Sequence, residues 1–128
     1  MSENQELEEF AAKLFDLARA GDAQLMDYIE RGVNVNMVNQ EGQSFLMLAA
    51  YHGQADLVEK LLAAGADADL LNDRGQSPLA GAIFKKEEAV IEALIAAGAS
   101  ATAGQPTAID TARMFGRADL VERLGAGG

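Results

Sequence analysis

The residues of this chain best able to do chemistry are one histidine, His52, and three hydroxyl groups in recurring contexts, Ser44, Ser77 and Thr107. An imidazole can serve as base or metal ligand, and a hydroxyl as nucleophile. There is no cysteine, which excludes disulfides, thiolate catalysis and Cys-based zinc or iron sites. A single histidine cannot build a His-rich metal centre, and no Asp or Glu spacing places carboxylates around it, so neither a metal nor a cofactor is expected. A serine triad would rest on His52 alone, without the G-x-S-x-G elbow. The closing "GAGG", residues 125–128, lacks the preceding strand and following helix of a phosphate cradle and reads as a frayed tail. No catalytic residue is therefore expected, and the chain is read as no enzyme. His52, beside a helix-ending glycine, is expected at the surface, where it could be a pH-sensitive contact.

The same residues make sense as structure. "GQSFLMLAAYHG" and "GQSPLAGAIFKK" begin at Gly42 and Gly75, 33 residues apart. Asn39 then overlies Asn72, Ser44 overlies Ser77, and Leu46 overlies Leu79. Leu57, Val58, Leu61 and Leu62 overlie Val90, Ile91, Leu94 and Ile95. A fixed period of this size marks stacked supersecondary units. Two full units are expected, about 39–71 and 72–104, between outer units of about 6–38 and 105–128 that act as caps. The last is shortened before Thr107.

Each unit reads as helix, turn, helix, loop. Ser44, Ser77 and Thr107 fall where an N-cap belongs, and Pro78 suits the first helical position. The first helix should run about nine residues, to Gly53 or Gly116, glycines suited to a left-handed turn. Lys86 stands in that glycine's place, so strain is expected there. The second helix carries an apolar stripe wide enough to pack between neighbours. The acidic residues at its start, Asp22, Asp56, Glu87, Glu88 and Asp119, fit the helix dipole better than acid–base work.

Composition agrees with a thin-layered helical domain. Of 128 residues, 49% are apolar but only 5% aromatic, with no Trp. A net charge of −10 disfavours phosphate backbones and anionic membranes while leaving a basic protein partner compatible. No apolar run approaches a bilayer span, and "MSENQELEEF" lacks the features of a secretory signal. A cytoplasmic protein is expected, bound to neither nucleic acid nor membrane and monomeric in isolation.

The unit G-x-[ST]-[PFA]-[LI]-x-x-A, a helix break, and a Leu/Val/Ile-rich helix closing in G-A-D resembles the ankyrin repeat. "GQSPLAGA" is similar to that family's helix start and "LLAAGADAD" to its helix end. The likeness runs over about residues 6–128 and is closest to small stand-alone bacterial members. It implies an all-α solenoid of four helix-turn-helix units with short hairpin tips. The family's histidine three residues after the cap is replaced by Met47, Ala80 and Asp110, which puts its inter-unit hydrogen bonds in doubt.

The resemblance also implies a concave partner surface. Its tips would be Gln40, Glu41 and Gln43, then Asp73, Arg74 and Gln76. Its helix positions would be Arg19 and Ala20, Tyr51 and His52, Phe84 and Lys85, and Met114 and Phe115. Tyr, Phe, Met and Arg are enriched in interface cores, and such a line facing solvent suggests a partner. The other reading is that Phe84 and Phe115 fold over the helix seam as part of the core; exposure above one half separates the two. The expected function is non-catalytic protein binding, as adaptor, inhibitor or activity-supporting partner. Two alternatives stay open: a small-ligand or ion-binding accessory, which needs a pocket with converging polar groups, and a structural protein that self-associates through Tyr51, Phe84 and Phe115.

Overall fold

The computed structural model describes residues 2–126. Within them the chain forms α1 (Glu3–Ala20), α2 (Gln24–Glu30), α3 (Phe45–Tyr51), α4 (Ala55–Ala63), α5 (Pro78–Phe84), α6 (Glu88–Ala96), α7 (Ala108–Met114) and α8 (Ala118–Ala126). One antiparallel bridge, Val38 to Ser44, closes a hairpin tip. Gly125 and Ala126 complete α8 rather than fray; the rest of the tail, Gly127 and Gly128, lies outside the described residues.

The caps form where the hydroxyls fall. Ser44, Ser77 and Thr107 accept from the amides of Met47, Ala80 and Asp110 at 3.1, 3.1 and 3.0 Å. Each side-chain oxygen satisfies one amide that the first turn leaves unpaired. The helices so started are shorter than expected, at seven residues each, and His52, Lys85 and Phe115 cap them before the turn. The first helix of the chain is instead 18 residues long and begins at Glu3, ahead of the expected unit boundary. Ser2 caps it, Glu3 and Glu6 face its dipole, and its span contains neither Gly nor Pro.

The inner helices α1, α3, α5 and α7 stack in chain order, each carrying its own outer helix, and α4 packs on α6. Leu57, Val58 and Leu61 of α4 and Val90, Ile91 and Leu94 of α6 are all buried in one continuous core. A central inner helix is enclosed almost all round: six consecutive residues of α3, Phe45 to Ala50, are buried. These neighbouring layers could not bury such faces alone, which is the physical basis of a solenoid.

The turn between paired helices is left-handed at Gly53 (φ 72°) and at Lys86 (φ 60°). Lys86 therefore holds the strained conformation its position requires. At Gly53 the glycine also makes room, because a Cβ there would collide with the carboxylate of Glu87 in the next unit. At Lys86 a side chain occupies that place, and Arg117, the counterpart of Glu87, turns instead to Glu88 and Asp119.

Other residues tie the units where the family's histidine is missing. Asn36 accepts from the Asp67 amide at 2.8 Å, and Asp69 accepts from the Ser100 amide at 2.7 Å. Gln54 donates to the Arg19 carbonyl at 2.9 Å. The last outer helix is held to α6 by ion pairs: Arg123 grips both oxygens of Glu92 at 2.7 and 3.0 Å, and Arg117 reaches Glu88 at 2.8 Å. The hydrogen bond from Arg123 holds the Glu92 carboxyl below the usual carboxylate range, and that from Arg117 does the same for Asp119. A folded pKa below the unfolded one gives stabilisation that is present at neutral pH and lost as pH falls through the folded value. Helix α8 is thus expected to lose hydrogen-exchange protection, corrected for intrinsic rates, from about pH 4 downward and before α4 or α6. The effect is modest because the pairs are exposed; α8 loosening no earlier than its neighbours would refute it.

Candidate functional site

The tips are built by one repeated device. The side-chain oxygen of Asn39 accepts from the amides of Glu41 and Gln43 at 2.9 and 3.0 Å, and its amide donates to the Gln43 side chain at 3.0 Å. Asn72 does the same with Arg74 and Gln76. Gln43 and Gln76, expected to read a partner, are half-buried and brace their own tips. Gln40, Glu41, Asp73 and Arg74 remain exposed. Neighbouring tips are joined by the Asp73 amide, which donates to the Glu41 carbonyl at 3.0 Å.

Along the inner helices the expected row splits. Arg19 is half-buried and paired with Asp16 at 2.8 Å, while Ala20, His52 and Lys85 are exposed. Phe84 and Met114 exceed half exposure, at 58% and 71%, whereas Phe115 is at 39% and Tyr51 is half-buried. Phe84 meets Phe115 edge to face, with ring centroids 5.6 Å apart. Neither simple reading of the row holds throughout: Phe84 and Met114 stand out from the surface, and Tyr51 and Phe115 are walls.

Tyr51, Phe84, Met114 and Phe115 line one cleft of about 220 Å³, together with Gln76, Ala80, Gly81, Pro106 and Thr111. Its floor depends on Gly81. A Cβ at that position would sit 2.6 Å from the Tyr51 ring, so only glycine lets the ring lie against the α5 backbone. A glycine inside a helical pattern is a sign of close approach, but the repeat pattern alone does not mark Gly81 as part of a site. Pro106 enters from the shortened loop before α7, beyond the reach of the repeat alignment.

The polar groups of the cleft are largely spent internally. Thr111 donates to the Thr107 carbonyl at 2.8 Å, and the Gln76 side-chain oxygen accepts from Asn72. Among the described residues, no group of three His, Asp or Glu side chains is placed to hold a metal ion. Another concavity, of about 550 Å³ between α6 and α8, is lined by Gly98, Ala99 and Ala101, and its one charged side chain, Arg123, is committed to Glu92. Among the described residues, no helix is long and apolar enough to cross a membrane.

Stacked helix pairs with capped inner helices and braced hairpin tips define a repeat solenoid. Residues 28–82 match the family model of ankyrin repeats (many copies). Over 56 residues the chain is 46% identical to an ankyrin repeat protein of Pseudomonas aeruginosa, a stretch covering 43% of this chain and 33% of the relative, so the match spans about a third of that relative's length. Over that stretch the chain is similar to ankyrin repeats, which are in general modules of protein–protein interaction.

Proposed function

We propose that this chain is a non-catalytic binding module that captures another protein on the tips and inner helices, with Tyr51, Phe84, Met114 and Phe115 as anchors. The observation that carries this reading is the apolar cleft over Gly81, open on the side of the stacked inner helices. Its aromatic walls are held by the solenoid, so little ordering entropy is lost on association. Exposed Glu41, Asp73, Arg74, His52 and Lys85 set register around it. The outer two units serve as caps, and the chain is a monomer until it meets its partner. A small-ligand or ion accessory is disfavoured because the cleft lacks converging free polar groups.

The test is covalent capture from native lysate, comparing the wild-type chain with the Tyr51→Ala/Phe84→Ala variant. Aromatic anchors of this kind contribute about 2 kcal/mol or more, so capture of the cognate protein should fall roughly thirtyfold. The variant should stay folded, since neither side chain is a core residue. Undiminished capture would remove the proposal.

A further inference from the structure

We infer that the tip at Asn39 has an open backbone edge, and that this edge receives an extended, basic segment of another protein whose main-chain carbonyl accepts from the Gln40 amide. This surface shares no residue with the cleft over Gly81 and does not depend on it. Successive tips pair through their backbones: the Asp73 amide donates to the Glu41 carbonyl at 3.0 Å, and the Gln105 amide to the Gly75 carbonyl at 2.9 Å. Gln40 stands 33 residues before Asp73, one repeat earlier, so its amide is the donor that a preceding tip would satisfy. The first unit supplies no such tip, because it is helical from Glu3 to Ala20. The Gln40 amide accordingly has no hydrogen-bond partner among the described residues, whereas those of Glu41 and Gln43 donate to the Asn39 side chain. An unpaired backbone edge is a template for an added extended segment.

A groove of about 390 Å³ lies at that edge, between the tip and α1. Glu8, Ala11, Ala12 and Phe15 form its helical wall, at the spacing of one helix face. The small side chains of Ala11 and Ala12 leave room for a chain to lie against α1. Met37 and Val38 give the tip's wall its apolar part, and Val38 is 43% exposed. The charge around the groove is negative. Glu8 is its one charged lining residue, residues 1–12 hold four glutamates and no lysine or arginine, and Glu41 is exposed on the same tip. The cations of α1 turn elsewhere, Lys13 to Tyr28 and Arg19 to Asp16. Arg74, on the next tip, is offset by its neighbour Asp73. Basic side chains on the incoming segment are therefore attracted and acidic ones repelled. The tip carbonyls that accept in this way, those of Glu41 and Gly75, are taken within the chain, so another protein rather than a second copy supplies the segment.

The test is an amide-resolved NMR titration of the whole chain with the end-blocked peptide Arg-Thr-Val-Thr-Val-Thr-Arg and its Glu-ended counterpart. Before peptide is added, the Gln40 amide should exchange near its intrinsic rate while the Asp73 amide is protected. The basic peptide should shift the amides of Ala12, Val38 and Gln40 and slow exchange at Gln40; the acidic one should bind about tenfold less tightly. Gln40→Pro removes the donor at the second position of the turn that the Gly42 amide closes on the Asn39 carbonyl at 3.0 Å, a position that suits proline. Its urea midpoint should hold or rise, and the basic peptide should bind it about tenfold less tightly. Gln40→Ala keeps the amide and should bind as the wild type does. Slowed exchange at Gln40 in the wild-type complex is a readout that needs neither variant. The Tyr51→Ala/Phe84→Ala variant should also bind the peptide unchanged, so failure here and failure of the cleft reading are separate results. A protected Gln40 amide in the free chain, no binding of the basic peptide, equal binding of the acidic one, an unaffected Gln40→Pro, or an equal loss in Gln40→Ala would each overturn the inference. So would sedimentation showing a dimer that protects Gln40 without peptide.

Discussion

Replacing Phe45 by alanine is expected to lower the unfolding free energy by about 3–5 kcal/mol, read as a fall in the urea midpoint. Phe45 is fully buried, and its ring lies 4.8 Å from that of Phe15. Phe15 belongs to α1 and Phe45 opens α3, so the pair fastens the first inner helix to the second. Alanine removes a large apolar side chain and leaves a cavity that the rigid α3 backbone, enclosed on several sides, cannot collapse around. Stability in a solenoid is a sum of unit and neighbour terms. The loss should therefore fall on one boundary: hydrogen exchange in α1 and α2 should quicken more than in α5 to α8. A change below about 1 kcal/mol, or uniform loss of protection, would show that the ring contact does not hold the first unit.

That contact marks the limit of what the repeat pattern carries. The alignment sets Phe45 opposite Pro78, and both follow a capping serine. Pro78 works locally, by fitting the first helical turn. Phe45 works through a neighbour contributed by the long α1, and α1 itself follows from Ser2, the early glutamates and an uninterrupted helical composition rather than from the 33-residue period. What was legible is what the period and local capping chemistry determine: the four helix pairs, the three hydroxyl caps, the buried stripes of α4 and α6, and the left-handed turn forced on Lys86. What was not legible depends on contacts between non-equivalent residues. Asn36 and Asp69 replace the histidine ties through loop amides one unit on, and no motif announces them. Tip position alone points Gln43 and Gln76 toward a partner, but the same Asn that shapes each tip donates to their side-chain oxygens.

The candidate cleft shows the same division. Its aromatic row could be read from the alignment of inner-helix ends. Its depth could not, because depth comes from Gly81 admitting the Tyr51 ring, and its far wall comes from Pro106 in the one loop that breaks the period. Recognition surfaces of repeat proteins lie where units differ, whereas the fold is set where they agree.

Alanine at Gly42 and alanine at Gly75 should differ sharply, although the sequence presents the two positions as equivalents. Both glycines have φ of 74°, and each alanine pays about 1–2 kcal/mol for a left-handed backbone. At Gly75 nothing lies within 4 Å of the added Cβ, so the cost stops there. At Gly42, which is buried, the Cβ would stand 2.8 Å from the Asp73 amide nitrogen. That amide cannot retreat freely, because it donates to the Glu41 carbonyl at 3.0 Å and so joins the tip at Asn39 to the tip at Asn72. Gly42→Ala must either break that bond or push the tips apart, and should cost about 2–4 kcal/mol in total. Paired urea denaturations read the difference, with Gly75→Ala controlling for strain alone. Equal losses would mean that neighbouring tips are coupled only through their helices. A larger loss at Gly42 would mean that the exposed residues on either side of it, Glu41 and Asp73, are held at a fixed spacing by direct backbone contact, as a rigid docking edge requires.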